Sequence, residues 1–161
     1  MEIRDVDPQG ADAMALLREA SSEARALYPE LFDGSDAPAT NDPLPQRGAY
    51  VVAHVDGRAL ACGALRPRDD TTAELRRMYV LRAHRREGLA SAVLAHLIGE
   101  ARRLGYSRLV LETGYRQLAA MRLYEAHGFH RILPFGEYVG DPTSVCYERK
   151  LGASQAPETR A

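Results

Sequence analysis

A short basic turn in the middle of the chain carries residue types that bind anions. Residues 85–90, RREGLA, lie between a strand-like run and a long amphipathic helix pattern. The first N–H groups of a helix have no partner within the helix, and the helix dipole adds partial positive charge there. Two guanidinium groups and a glycine without a Cβ at such a point predict a phosphate site.

The common phosphate-binding loops do not match this turn. The sequence contains no Gly-x-x-x-x-Gly-Lys-Ser/Thr loop, so no lysine is placed for a terminal phosphate. It also contains no Gly-x-Gly-x-x-Gly turn, and the preceding strand does not open a βαβ repeat. The pattern that remains is Arg-x-x-Gly-x-Ala, directly after a strand that ends at Val80.

Two glutamates in strand-like segments flank this turn along the chain, Glu74 before it and Glu112 after it. An unpaired carboxylate is costly to bury in a central strand. We therefore expect Glu74 to be functional, to pair with Arg76 or Arg77, or to lie on an exposed face. If the two carboxylates face each other, the pKa of one should rise, which is useful for a general base.

The elements that position these residues follow from periodicity and turn signals. Apolar positions at helical spacing predict helices over residues 10–28, from the basic turn to residue 104, and over residues 117–127. Asp56-Gly57 between two β-rich runs predicts a hairpin. Predicted strands cover residues 2–6, 49–54, 58–65, 72–80, 107–112 and 143–151.

Residues 29–47 contain four prolines among acidic and small residues, which is too irregular for a helix or strand. Such a segment is usually a linker. A loop of this length within a compact domain is also often functional, and both interpretations, linker and substrate lid, stay open.

Composition limits the class of protein. The 161 residues suffice for one domain, which we place at residues 1–151, followed by a solvated tail at 152–161. The 21 basic and 22 acidic side chains nearly balance, so we expect neither nucleic acid nor a membrane surface as partner. We find no signal peptide or membrane span, and Cys62 and Cys146 lie in apolar segments; a cytoplasmic location is predicted. The five histidines show no metal-binding pattern.

In this context the Arg-x-x-Gly-x-Ala turn resembles the acetyl-CoA-binding motif of the GCN5-related N-acetyltransferase (GNAT) superfamily. Residues 120–129, AMRLYEAHGF, match that superfamily's Ala-x-x-Leu-Tyr-x-x-x-Gly-Phe segment, and the element order agrees over roughly residues 1–151. The resemblance implies an α/β fold. Its central sheet would be mixed and mostly antiparallel, with about seven strands, split between the fourth and fifth strands and flanked by helices.

The resemblance also implies where acetyl-CoA, the expected co-substrate, is held, with no metal required. The strand before the turn would run alongside pantetheine, Arg85 would place a cation near the diphosphate, and Gln117 stands nearest to the family's usual asparagine. Ala90 replaces the commoner glycine, as the motif allows. The cofactor-binding residues implied are Met78, Tyr79, Val80, Arg85, Arg86, Glu87, Gly88, Leu89, Ala90, Ser91 and Gln117.

Catalytic roles follow from the same resemblance. Glu74 matches the position of a glutamate that accepts the proton of the nucleophile in several members, often through water, and Glu112 is a candidate to share that role. Tyr124 matches the tyrosine that typically points at the thioester sulfur, where a phenol protonates the departing thiolate. An aromatic residue on an apolar helix stripe is the structural alternative for Tyr124.

The activity implied is direct transfer of an acetyl group from acetyl-CoA to a primary amine of a small molecule, such as an amino acid or a similar compound. Peptide or protein N-acetylation is an alternative, and so is a non-catalytic acyl-CoA-binding regulatory module. Dimerisation is frequent in the superfamily, so a homodimer is a further expectation.

A more specific likeness lies near the C-terminus. The run from Pro134 to Ser144 resembles the Pro-Phe-Gly-x-Tyr-x-x-Asp-Pro-x-Ser signature of a bacterial subgroup of small acetyltransferases. Phe135 and Tyr138 either wall an acceptor pocket or cover the split end of the sheet.

Overall fold

The computed structural model describes residues 1–32, 34 and 37–152, which form one seven-stranded sheet with three α-helices packed on it. The helices are α1 (Ala11–Leu27), α2 (Leu89–Arg103) and α3 (Leu118–Ala126). The strands are β1 (Glu2–Asp5), β2 (Ala49–Val55), β3 (Arg58–Pro67), β4 (Thr72–Val80), β5 (Arg108–Gly114), β6 (His130–Ile132) and β7 (Ser144–Lys150).

The sheet is mixed and splits where the sequence predicts. Its strand order is β1-β2-β3-β4-β5-β7-β6, and every neighbouring pair is antiparallel except β4 with β5. Those two strands pair only from Thr72 to Leu75 on β4 and from Arg108 to Leu111 on β5. Both continue beyond that point, so they diverge and leave a cleft between them. The predicted α/β fold and its split are confirmed.

A bulge shapes β4 beside this cleft. Cys62 and Ala64 on β3 face Tyr79 and Arg76 on β4, so one residue of β3 lies opposite two of β4. Arg77, one of the two, has a φ of 61°, a left-handed conformation that costs energy for a residue with a Cβ. The bulge reverses the alternation of side chains along β4 at the mouth of the cleft.

The helices cover opposite faces of the sheet. Val93, Leu94 and Leu97 of α2 pack in one core cluster with Leu75 and Leu111 from the two central strands. A smaller cluster on the other side joins α1 to residues of β2 and β3. Because strand side chains alternate between faces, Glu74 and Glu112 project away from α2, toward the face that carries α1.

Predicted boundaries agree to within a few residues, with one element newly located. The resemblance implies about seven strands, of which the sequence locates six, and the structure places the remaining one at His130–Ile132, beside β7. Within the segment 29–47, Pro29–Leu31 form one 3₁₀ turn. Residues 33, 35 and 36 of that segment, and the predicted tail apart from Gly152, lie outside the described residues.

The described residues lack two kinds of feature. No helix among them is long and apolar enough to cross a membrane. No group of three or more His, Cys, Asp or Glu side chains within them could hold a metal ion. Cys62 and Cys146 are both buried free thiols, as their apolar sequence context predicts.

Candidate active site

The basic turn leads into α2 through two left-handed residues. Arg86 and Gly88 have φ angles of 67° and 84°, and Gly88 is the helix N-cap. The Ala92 N–H donates to the Gly88 carbonyl at 3.0 Å as the first helical bond, so the preceding N–H groups have no helical partner. No side chain in the described part of the chain caps them. The turn therefore presents main-chain donors at the positive end of a helix, as an anion site requires.

Arg85 is held by other groups of the protein. Its Nη1 and Nη2 donate to the two carboxylate oxygens of Glu23 on α1, at 2.8 and 2.7 Å, and its Nε donates to the Val80 carbonyl at 3.0 Å. The Tyr79 hydroxyl donates to the same carboxylate at 2.9 Å. A bidentate pair fixes the guanidinium geometry. Arg85 thus ties the turn to α1, and its position beside the helix start is set by Glu23.

One edge of β4 is open at the cleft. Residues of β4 beyond Leu75 bond to β3 on one side, and within the described residues no strand pairs with their other edge. Met78, Tyr79 and Val80 lie on this stretch, which ends at the basic turn. An open strand edge offers N–H and C=O groups that an extended ligand containing amides can pair with.

A cavity of about 290 Å³ occupies the split between β4 and β5. It brings together Glu112, Gln117 and Tyr124 of the predicted site with Met78 of β4. Glu74 does not line it. The remaining lining residues come from the end of α1, from β4 and from the segments around β5 and β7: Ala24, Tyr28, Leu31, Phe32, Leu75, Arg76, Arg77, Thr113, Gly114, Ala120, Asp141 and Thr143.

Glu112 is a half-buried carboxylate on the wall of this cavity. Its Oε2 accepts one hydrogen bond, from the Ser144 hydroxyl at 2.8 Å. Burial raises the pKa of Glu112, and the nearby charges of Asp141 and Glu74 raise it further, while the Ser144 bond and Arg76 oppose the shift. A raised pKa on a group that faces a cleft is the property expected of a general base.

Glu74 is enclosed by partners. It is 1% exposed, and its Oε1 accepts from Arg66 Nε at 2.9 Å and from Arg68 Nη1 at 3.1 Å. Its Oε2 accepts from the Tyr138 hydroxyl at 2.6 Å. Of the three states expected from the sequence, the structure has the arginine-paired one. Arg76, one of the two expected partners, forms an ion pair with Glu74 Oε2 at 4.0 Å, whereas Arg77 bonds to Asn41. The arginines that hydrogen bond to Glu74, Arg66 and Arg68, were not expected from the sequence.

Tyr124 lies at the inner end of the cavity. It is 6% exposed, and its ring contacts Phe129 edge-on at a centroid distance of 5.9 Å and Tyr147 at 6.2 Å. The described residues supply no hydrogen-bond partner for its hydroxyl. Burial, followed by the charge of Glu112, raises the pKa of Tyr124, so the phenol stays protonated at neutral pH. It is a packed aromatic residue that also keeps a proton available toward the cavity.

Two contacts near the site have no signal in the sequence. Ser91 in the first turn of α2 hydrogen bonds to His127 at the end of α3, with 2.6 Å between Oγ and Nε2. Arg77 lies at the β4 bulge and lines the cavity. Periodicity in a single sequence does not report which residue of a strand is bulged, and it does not report pairs 36 residues apart.

Comparison with known proteins adds independent information. The model of the acetyltransferase (GNAT) family matches residues 13–129. Over 99 residues the chain is 43% identical to YsnE of Bacillus subtilis (strain 168), an uncharacterized N-acetyltransferase. That match covers 60% of this chain and 66% of YsnE, so it spans just under two thirds of the relative's length.

Solved structures agree in fold. A crystal structure from Klebsiella pneumoniae, which carries the provisional name of acyl-CoA N-acyltransferase, superposes with a TM-score of 0.76 at 32% identity, covering 93% of this chain and 97% of that one. A GNAT acetyltransferase from Elizabethkingia anophelis, crystallised with acetyl-CoA bound, gives a TM-score of 0.66 at 18% identity, covering 92% and 97%. At that lower identity the likeness concerns the fold alone.

Proposed function

The chain belongs to the acetyltransferase (GNAT) family, and from that membership we propose that it transfers an acetyl group from acetyl-CoA to the primary amine of a small molecule. One observation carries the proposal. A single cleft, between the open edge of β4 and the diverging β5, is lined by a carboxylate with a raised pKa and a buried phenol, Glu112 and Tyr124.

The proposed cofactor site uses main chain more than side chains. The free N–H groups at the start of α2 take the diphosphate, with charge support from Arg86 and positional support from Arg85. The open edge of β4 takes the pantetheine amides. A Cβ built on Gly88 meets no atom within 4 Å, so there is room above the turn for a ligand. The residues assigned are Met78, Tyr79, Val80, Arg85, Arg86, Glu87, Gly88, Leu89, Ala90 and Ser91, with Gln117 at the start of α3.

In the proposed reaction Glu112 accepts a proton from the acceptor ammonium, directly or through one water. The freed amine nitrogen forms a bond to the thioester carbonyl carbon, and the carbon–sulfur bond breaks. The thiolate that leaves takes the proton of the Tyr124 hydroxyl, and the second proton of the attacking nitrogen passes to the resulting phenolate. Glu112 returns its proton to solvent, and the products are an amide and free coenzyme A. Glu74, also predicted as a base, instead contributes by holding the sheet beside the cleft, because its two oxygens are already occupied.

The test is an assay of thiol release from acetyl-CoA with a panel of small amines. We expect turnover with at least one amine, about 100-fold lower kcat in Tyr124→Phe and in Glu112→Gln, and little loss in Glu74→Gln. Acetyl-CoA binding without thiol release for any small amine would overturn the proposal. Release only with peptides would favour a protein N-acetyltransferase, and release with neither would favour a regulatory module.

A matched pair of glycines tests the cofactor anchor. Gly88 and Gly57 both have left-handed φ angles, 84° and 77°, and both lack neighbours where a Cβ would point. Valine at either position therefore adds similar backbone strain, but only Gly88→Val places bulk over the proposed diphosphate. We expect at least about tenfold weaker acetyl-CoA binding in Gly88→Val and unchanged binding in Gly57→Val. Equal affinities in the two variants would contradict the anchor.

We also propose that the Pro134–Ser144 run marks membership of the bacterial subgroup named above. Supporting contacts are the hydrogen bond from Tyr138 to Glu74 and the edge-on contact of Phe135 with Tyr138, at a ring distance of 5.2 Å. Of the two roles predicted for these rings, covering the sheet end is the one these contacts favour. The homodimer and the cytoplasmic location stay predictions.

A further inference from the structure

We propose that the acceptor amine also carries a carboxylate, which Arg76 and Arg77 bind while its ammonium faces Glu112. This inference rests on the proposed function and names the substrate class for the same cleft. Its physical basis is a separation of charge across the split, with two arginines on β4 and two carboxylates on the other side.

Arg76 and Arg77 stand between two cavities. Both line the cavity of about 290 Å³ in the split, and both line a second cavity of about 240 Å³. The second cavity lies between β3 and the chain segment from Asn41 to Pro45. Both arginines therefore border the cleft and the space beneath that segment. A small ligand in the cleft would lie against both residues.

Arg77 is a half-buried cation that pairs with no carboxylate of the described residues. Its Nε donates to the Asn41 side-chain oxygen at 2.8 Å and one terminal nitrogen donates to the Thr40 carbonyl at 3.4 Å. Neither partner is charged, and no ion pair of Arg77 occurs within the described residues. Burial lowers the pKa of Arg77, and the neighbouring Arg76 lowers it further. A bound carboxylate would relieve both costs.

Arg76 is also weakly neutralised. Its Nε lies 4.0 Å from Glu74 Oε2, at the limit of an ion pair, and that oxygen already accepts from the Tyr138 hydroxyl. The other oxygen of Glu74 serves Arg66 and Arg68. The Arg76 guanidinium therefore retains hydrogen-bond donors for a ligand in the cleft. Two adjacent guanidinium groups of this kind recognise carboxylates through charge-assisted hydrogen bonds.

Negative groups lie across the split. Glu112 belongs to β5, and Asp141 belongs to the segment that leads into β7. An ammonium is drawn toward these carboxylates and a carboxylate toward the arginines of β4. A zwitterion such as an amino acid matches both sides, whereas an amine without a carboxylate leaves Arg77 unpaired.

The experiment compares matched acceptors. Each of the common amino acids is assayed beside its amide and its decarboxylated amine, at a pH well above the pKa of Glu112. For the best substrate we expect kcat/KM to be about 10- to 100-fold higher with the carboxylate present. Neutral amines that serve equally well would overturn the carboxylate subsite while leaving the acetyltransferase activity standing. A protein that acetylates no amine would overturn both.

Variants locate the subsite. Arg76→Gln and Arg77→Gln should raise KM for the carboxylate acceptor about 10-fold or more, with kcat changed less than about threefold, and should raise KM for the neutral amines far less. Arg77→Lys, which keeps a charge, covers the case in which Arg77→Gln fails to fold. Arg58→Gln, at the exposed start of β3, is the matched control. Equal losses for carboxylate and neutral acceptors would overturn the assignment.

Discussion

Glu74 and Glu112 are the same residue type on adjacent strands and project to the same face of one sheet, yet their side chains have very different hydrogen-bond partners and exposure. Glu74 is closed off by two arginines and a tyrosine. Glu112 has one serine partner and faces an open cavity. The first is a structural anion in a neutralised cluster, and the second is a carboxylate whose charge is incompletely compensated.

The pairing of β4 and β5 explains the difference. Glu74 lies opposite Val110, inside the paired stretch, whereas Glu112 is the first residue of β5 beyond the last pair, Leu75 with Leu111. Where the strands are paired, neighbouring side chains crowd together and must satisfy one another. Where they part, a side chain meets the cleft. The point of divergence therefore encloses one glutamate and leaves the other facing the cleft, and on this ground we propose Glu112 as the base.

The largest effect is expected on turnover, when the glutamate that faces the cleft is replaced. Glu112→Gln keeps an acceptor oxygen for the Ser144 hydroxyl but removes the proton acceptor, so kcat should fall about 100-fold. Glu74→Gln is the matched control, because it makes the same change one strand away. Steady-state kinetics on folded protein measure both. A larger loss of kcat in Glu74→Gln than in Glu112→Gln would reverse the assignment.

The second largest effect is expected in the pH dependence of kcat/KM, which should differ from the pH dependence of stability around Glu74. Because the pKa of Glu112 is raised, activity should decline about tenfold per pH unit below a pKa higher than the usual glutamate value. Glu137, which pairs with Arg68 beside Glu74, has its pKa lowered to about 2 by main-chain and arginine hydrogen bonds. Its stabilising contribution is present above the unfolded pKa and is lost only as the pH falls toward about 2.

Activity should therefore be lost at mildly acidic pH while the fold persists. Far-UV circular dichroism recorded beside the kinetics checks this order. The acid limb should disappear in Glu112→Gln and should persist in Glu74→Gln. An acid limb that coincides with unfolding would mean that the pH effect reports stability and not a base.

The same pair of residues shows how far the sequence alone reaches. Alternation and turn signals place both glutamates on strands, and the family resemblance implies a split between those strands. They do not report where pairing stops, which is a property of the closed sheet. They also do not report that Arg66 and Arg68 hydrogen bond to Glu74, because the placement of Arg66 opposite Glu74 is set by the register of β3 against β4.

The conformation of the basic turn could be predicted from the sequence. Its conformation follows from local features, a glycine at the left-handed helix N-cap after exposed arginines, and the free N–H groups appear as predicted. The partner of Arg85 was not accessible, because Glu23 is 62 residues away in the chain. Local backbone geometry is thus readable from sequence, whereas long-range ion pairing is not.

A smaller effect is expected on stability when Glu74, the enclosed glutamate, is replaced. Glu74→Gln leaves Arg66 and Arg68 with less compensating charge, although both guanidinium groups reach solvent and Glu137 still pairs with them. We therefore expect unfolding to become easier by about 2 kcal/mol, a decrease of roughly 4–8 °C in Tm. Glu100→Gln, which removes a surface pair with Arg103, should change stability by less than about 0.5 kcal/mol. Equal effects in the two variants would show that the contacts around Glu74 contribute no more to the free energy of unfolding than a surface ion pair.

The smallest expected effect is an increase in stability, and it follows from replacing Glu112, the glutamate that faces the cleft. A carboxylate whose folded pKa is raised favours the native state at pH values below its unfolded pKa, and this advantage is lost as the pH rises through the folded pKa. At neutral pH Glu112 thus costs stability, by less than about 1 kcal/mol because its side chain still reaches solvent. Glu112→Gln should accordingly raise Tm by up to about 3 °C at pH 7 and leave it unchanged at pH 4. A lower Tm at pH 7 would mean that the charged form is stabilised where it stands, and Glu112 would then belong with Glu74 as a structural anion.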